Sequence, residues 1–167
     1  MNDGHHLAQV NIARMLAPLD TPTMQTFVDL LDEINALADA SPGFVWRFQG
    51  GEGNATYLRP YEDERILFNM SVWSSVDALR AYAYGGAHAA VMRRRREWFS
   101  LLEQPNAALW WVRAGDVPSV DDAVRRLAYV QRHGATKYAF TFRTPFEPSD
   151  DCLDLPGEPR ARPCSAM

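Results

Sequence analysis

Apolar and polar residues alternate with two different periods along this chain, and the switches between them mark its elements. From Leu7 to Ala13 every second residue shares a side: Ala8, Val10 and Ile12 on one, Leu7, Gln9, Asn11 and Ala13 on the other. That is the period of a strand. Thr21 and Pro22 then suit a helix start. Met24, Phe27, Val28, Leu31, Ile34 and Ala38 recur at helical spacing up to the stop Ser41-Pro42-Gly43, with Asn35 near the centre of that apolar face. Phe44 to Gln49 reads as a strand with Phe44, Trp46 and Phe48 on one side. Gly50 to Asn54 reads as a hairpin loop and Thr56 to Arg59 as a short return strand. Arg65 to Trp73 is a further strand, with Ile66, Phe68, Met70 and Val72 opposite Leu67, Asn69, Ser71 and Trp73.

Ser74 or Ser75 caps the next helix, which Gly85-Gly86 interrupts before it restarts at Ala87. Winding Ala87 to Glu103 at about 100° per residue puts Val91, Met92, Trp98, Phe99 and Leu102 on one face. His88 and Arg95 fall in the middle of it, roughly 10 Å apart along the axis. A polar group there must find a partner or cost about 1–3 kcal/mol. His88 sits in the first turn of the restarted helix, where the positive end of the dipole favours a neutral imidazole. The other three residues of the run Arg93 to Arg96 spread around the helix and read as solvated. Ala108 to Arg113 is a strand, Ser119 caps a helix running to His133 and Gly134, and Tyr138 to Arg143 reads as a last strand.

The order strand, helix, strand pair, strand, helix, strand, then an extra helix and strand, predicts an α+β fold: its core matches a ferredoxin-like βαββαβ unit with an antiparallel sheet and a C-terminal helix-strand extension. Both helices of the unit would cover one sheet face. The other would be exposed apolar surface, which predicts a homodimer packed sheet to sheet. The domain is expected to span 1–146, with a Pro-rich mobile tail over 147–167.

Composition narrows the function. A net charge of −4 over 167 residues, with no basic stripe, excludes a general nucleic-acid binder. No apolar run is long enough for a membrane span, the stretch MNDGHHLAQVN has neither the basic nor the apolar region of a signal peptide, and His5-His6 reads as a flexible, solvent-exposed pair rather than a metal site. A cytoplasmic protein is expected. Cys152 and Cys164 both fall in the tail, and no metal-ligand spacing is present. A gap between helices and sheet, lined by aromatic and apolar groups with a few convergent polar ones, is where a small molecule is expected to bind. His88 is the expected base or proton shuttle and Arg95 the anion anchor. Asn11, Asn35, Asn69, Trp73 and Met92 are the expected substrate contacts.

The runs HLAQVNIARMLAPLD, INALADASPGFVWR, SVWSSVDALRAYAYGGAHAAVMRRRREWF and ALWWVRAG, with KYAFTFR, together resemble an uncharacterised bacterial family, a domain of unknown function of the dimeric α+β barrel superfamily. The resemblance spans Leu7 to Phe146 and is most specific at RRRREWF. It implies the fold and a dimer. Trp73, Ser74 and His88 are distantly similar to a strand-Trp-Ser-helix-His pattern of antibiotic-biosynthesis monooxygenases, which oxidise aromatic compounds without a cofactor. Haem-degrading members of that superfamily use a histidine on the second helix as iron ligand with an asparagine on the first strand, which would be His88 and Asn11 here. Three readings follow: a monooxygenase-like enzyme on a largely apolar substrate with no cofactor, a non-catalytic ligand-binding or structural homodimer, and a haem protein. Ser71, Ser74 and Ser75 near His88 lack a nucleophile elbow and are not read as part of a hydrolase triad.

Overall fold

A computed structural model describes residues 4–50, 59–149 and 153. The elements are β1 (His5–Met15), α1 (Pro22–Asp39), β2 (Phe44–Arg47), β3 (Ile66–Trp73), α2 (Val76–Tyr84), α3 (Gly86–Arg93), β4 (Phe99–Ser100), β5 (Ala107–Arg113) and α4 (Val120–His133). The sheet runs β2-β3-β1, and the far edge of β1 is shared. β5 pairs with His5 to Asn11, and β4 with Arg14 and Met15. Every pairing is antiparallel. This is the ferredoxin-like α+β arrangement, extended by α4.

Local chemistry places the ends. Ser75 Oγ accepts the Ala78 N–H at 3.1 Å and starts α2, and Ser119 does the same for α4 through the Asp122 N–H. Gly43 holds φ +82, and a Cβ there would meet Ser74 Oγ at 2.5 Å and Ala78 Cβ at 2.6 Å. Only glycine lets the turn after α1 lie this close to the start of α2.

The sheet carries a core on each face. On one, Leu7, Trp73, Leu109 and Trp111 meet α1 and α2, while Met15, Leu67 and Trp98 meet α1 and α3. On the other, Ala8, Val10, Phe68, Met70, Val72 and Trp110 meet Ala123, Leu127 and Val130 of α4. This second face was expected to be open for a partner copy, and it is not. Val10, Met70 and Trp110 are 0% exposed within the single chain. The apolar stripe of α4 closes over the face, assisted by Trp46, Phe48 and Tyr61. A homodimer through the sheet face therefore has no surface to use.

Three further expectations change. A bulge between Phe44 and Trp46 turns them to opposite faces: Phe44 lies edge-on to Trp73 at 5.4 Å, whereas Trp46 and Phe48 join the α4 side. The last strand shrinks to one bridge, Phe140 with Leu109, before the chain turns at Thr141–Thr144. His5 and His6 are not a flexible start but part of β1, half-buried and opposite Arg113 and Val112. Most of the expected hairpin loop at Gly50 to Asn54 and return strand at Thr56 to Arg59, both cysteines and most of the expected tail lie outside the described residues.

Candidate functional site

Leu7, Gln9, Asn11 and Met15 of β1 point under the helices, and antiparallel pairing sets Gln9 opposite Ser71 and Asn11 opposite Asn69. These side chains join in one line. The Trp73 indole N–H donates to Ser71 Oγ at 2.8 Å, and Gln9 Nε2 donates to the same oxygen at 3.0 Å. Asn11 Oδ1 accepts from Asn69 Nδ2 at 3.0 Å and, more weakly, from Gln9 Nε2 at 3.4 Å. The line runs from a buried end to an open one. Trp73 is 0% exposed, Ser71 and Gln9 are buried, Asn11 is half-buried and Asn69 is exposed.

An exposed asparagine inside a strand beneath a helical layer means that the layer does not close there. α1 shows why. Of its inward residues only Met24 and Ala38, near its two ends, are buried. Phe27, Leu31, Ile34 and Asn35 between them are half-buried. Asn11 and Asn69 belong to neither of the two apolar clusters of this face and form the open end of the line.

His88 stands on α3 between Tyr82, which packs with the Trp73 cluster, and Val91, which packs with the Met15 and Trp98 cluster. It is half-buried. Gly85, in extended backbone, separates α2 from α3, and the imidazole spans this break. Its Nδ1 lies 2.9 Å from the Ala83 carbonyl oxygen. A carbonyl only accepts, so Nδ1 carries the proton and Nε2 keeps its lone pair. Burial holds the imidazole below its ordinary pKa, and the Ala83 carbonyl works the other way without cancelling it.

Tyr82, passed over in the sequence, belongs here. Its ring stacks on Trp73 at 5.0 Å and lies 4.6 Å from the His88 ring, and its hydroxyl donates to Ile34 O of α1 at 3.4 Å. Burial pushes its phenol up to about 12. The signal was available: Tyr82 follows Leu79 by three residues, and Leu79 is the buried residue of α2.

Arg95 and Met92 do not join this group. α3 ends at Arg93, a 3-10 turn covers Arg95 to Glu97, and Trp98 drops into the core with its indole N–H on Thr26 Oγ1 at 2.9 Å. Arg94 doubles back on Glu97 at 2.9 Å and lies over the Trp98 ring. Once the helix stops, the 100° step no longer applies. Arg95 turns into solvent with Nη1 donating to Met92 O, and Met92 itself is 42% exposed. Asn35 sits on the inward flank of α1, and Trp73 forms the buried end of the polar line.

Two hollows mark the surface elsewhere. One of about 390 Å³ lies between the turn at Ser41 to Gly43 and α2. The other, of about 1180 Å³, lies between α1 and the segment before β3. Among the described residues no three His, Cys, Asp or Glu side chains are placed to hold a metal, and no helix is long and apolar enough to cross a membrane.

Residues 6–154 match the family described as a domain of unknown function, DUF3291, and the chain belongs to it. No protein with a curated description matches. Among solved structures the chain is similar to SnoaB, a cofactor-independent oxygenase from Streptomyces nogalater, at 16% identity and TM-score 0.44, over 67% of this chain and 95% of that one. It is also similar to a protein of unknown function from Nitrosomonas europaea, at 17% identity and TM-score 0.44, over 69% and 96% of the two chains. A heme-degrading protein from Mycobacterium tuberculosis follows at 19% identity and TM-score 0.38, over 70% and 100%.

Proposed function

We propose that this protein is a small-molecule enzyme, monooxygenase-like in its use of a base on a flat and largely apolar substrate, working in the gap above Asn11 and Asn69. The observation that supports this most directly is the bond from His88 Nδ1 to Ala83 O. It fixes the tautomer and leaves Nε2 to take a proton, and burial keeps that nitrogen neutral near pH 7. The amides of Asn69 and Asn11 would orient a hydroxyl or carbonyl of the substrate, and Tyr82 would shield the base from water. Arg95 has no part in this reading.

A non-catalytic reading rests on the same bond. The break at Gly85 frees the Ala83 carbonyl, and His88 satisfies it, which is a structural task in itself. Haem fits less well. The pair it would need is His88 with Asn11, but His88 leans on Tyr82 and Asn11 is committed to Asn69 and Gln9.

The test is NMR titration with a panel of hydroxylated bicyclic aromatics, followed by oxygen-uptake assays on the binders. The enzyme reading expects shifts at the Asn11, Asn69 and His88 side chains, and turnover that His88→Gln removes while binding survives. Turnover unchanged in His88→Gln would leave the imidazole its structural task alone.

A further inference from the structure

We propose that the 1180 Å³ groove beside α1 receives the arginine ridge of a second copy of this chain, forming a two-fold dimer that leaves the sheet face untouched. The groove has an apolar floor that includes Leu19, Val28 and Leu31, beneath a rim containing Asp20, Asp32, Glu62 and Glu64. Arg59 and Arg65 also line it, and Asp63 is taken up by Arg14 at 2.8 Å. The carboxylates stay in excess. A hollow with a greasy floor and an acidic rim fits a basic, partly apolar protrusion.

The chain carries such a protrusion. Arg93, Arg95 and Arg96 are exposed at the end of α3, and Arg95 curls back beside Met92, which is 42% exposed. Arg94 is held apart by Glu97 and Trp98.

The two surfaces flank one end of the molecule. The Leu16 N–H donates to Trp98 O at 2.8 Å and the Trp98 indole donates to Thr26, so the ridge abuts the loop before α1 and its first turns. The groove is lined by Met15, Pro18 and Gln25 of the same stretch. Between them Leu16 is 43% exposed. A two-fold axis through this end would seat each ridge in the other copy's groove, giving two equivalent contacts and closing the assembly. The contact is charged, so it weakens as salt shortens the screening length.

Charge reversal tests this by sedimentation velocity across protein concentration at low and high salt, with circular dichroism as the folding control. The wild type is expected to dimerise at micromolar concentration and to weaken at least about tenfold between 50 and 500 mM salt. Arg95→Glu/Arg96→Glu and Asp32→Lys/Glu62→Lys should each be folded monomers. Mixed together they should dimerise again, because both contacts of the mixed pair are then complementary. A wild type that stays monomeric, a dimer indifferent to both double substitutions, or folded variants that fail to pair on mixing would each overturn the proposal. Should a reversal variant misfold, Arg95→Gln/Arg96→Gln and Asp32→Asn/Glu62→Gln give the same reading by weakening alone.

Discussion

His88 Nδ1 reaches back 2.9 Å to the carbonyl oxygen of Ala83, five residues earlier and on the far side of the helix break. A continuous helix would have given that carbonyl to a backbone N–H four residues on. The break removes this partner, and the imidazole replaces it. One bond therefore repairs the backbone and sets the tautomer of His88.

The pH dependence of this arrangement has a definite sign. Burial lowers the pKa of His88 in the folded chain below the usual value of about 6.5. In the interval between the folded and unfolded values the unfolded chain binds the extra proton, so stability rises with pH there and levels off above the unfolded value. Melting temperatures of wild type and His88→Gln between pH 5 and 8 should differ most at the alkaline end and converge as the pH falls. A gap that widens on acidification would show that the histidine gains, rather than loses, from protonation in the fold.

Tyr82 divides into a ring and a hydroxyl with unequal weight. Its ring is the middle of the Trp73, Tyr82, His88 series, while its hydroxyl makes one long bond of 3.4 Å to Ile34 O. Tyr82→Phe should cost under about 1 kcal/mol. Tyr82→Ala should cost about 3 kcal/mol by opening the space between α2 and the sheet. Denaturant unfolding checks both. In the folded wild type, absorbance at phenolate wavelengths should show one tyrosine titrating only near pH 12.

What was legible beforehand follows the range of each signal. The alternation of β1 and β3, the Ser119 cap and the break at Gly85-Gly86 are local and stand as read, and of the two serines offered for α2 it is Ser75 that caps. The inward turn of His88 depended on the three residues since that break and survived. The inward turn of Arg95 depended on a helix that ends two residues before it, because Trp98 is drawn into the core and β4 begins at Phe99. The cover over the second sheet face was a question of tertiary geometry. The helix after Ser119 was read, but nothing local said which sheet face it would meet. Likewise the bulge after Phe44 leaves no trace in an alternating run.

Position along the polar line separates support from function. Ser71 is 6% exposed and accepts from two buried donors, the Trp73 indole and the Gln9 amide. Ser71→Ala leaves both without that acceptor and should cost about 2 kcal/mol in urea unfolding. Asn69 is exposed, and Asn69→Ala should cost under about 0.5 kcal/mol. If the gap binds a ligand, that same substitution should impair binding. Equal destabilisation by the two changes would mean that the open end of the line is structural after all.

Arg126 is the charge the sequence hid, since it lies beside the apolar stripe of α4 and reads as an ordinary surface residue. It is 4% exposed. Its Nε donates to both Asp122 oxygens at 3.1 and 3.2 Å, Nη1 donates to Tyr138 O, and Nη2 donates to Leu153 O at 3.1 Å. The guanidinium also lies 4.1 Å from the Tyr138 ring centroid. One buried cation thus ties α4 to the segment after it and to residue 153. Arg126→Ala leaves the Asp122 carboxylate only Arg125 Nη2, at 3.7 Å, and takes the guanidinium away from two carbonyls, and should cost about 3 kcal/mol. Arg126→Met, which keeps the bulk and drops the charge, should restore little while Asp122 remains. The double change Arg126→Met/Asp122→Leu should recover most of the loss, because an apolar pair of similar volume replaces the ion pair. Thermal melts of the three variants check the order, and a double variant no better than Arg126→Ala would place the stabilisation in the carbonyl bonds instead of the pair.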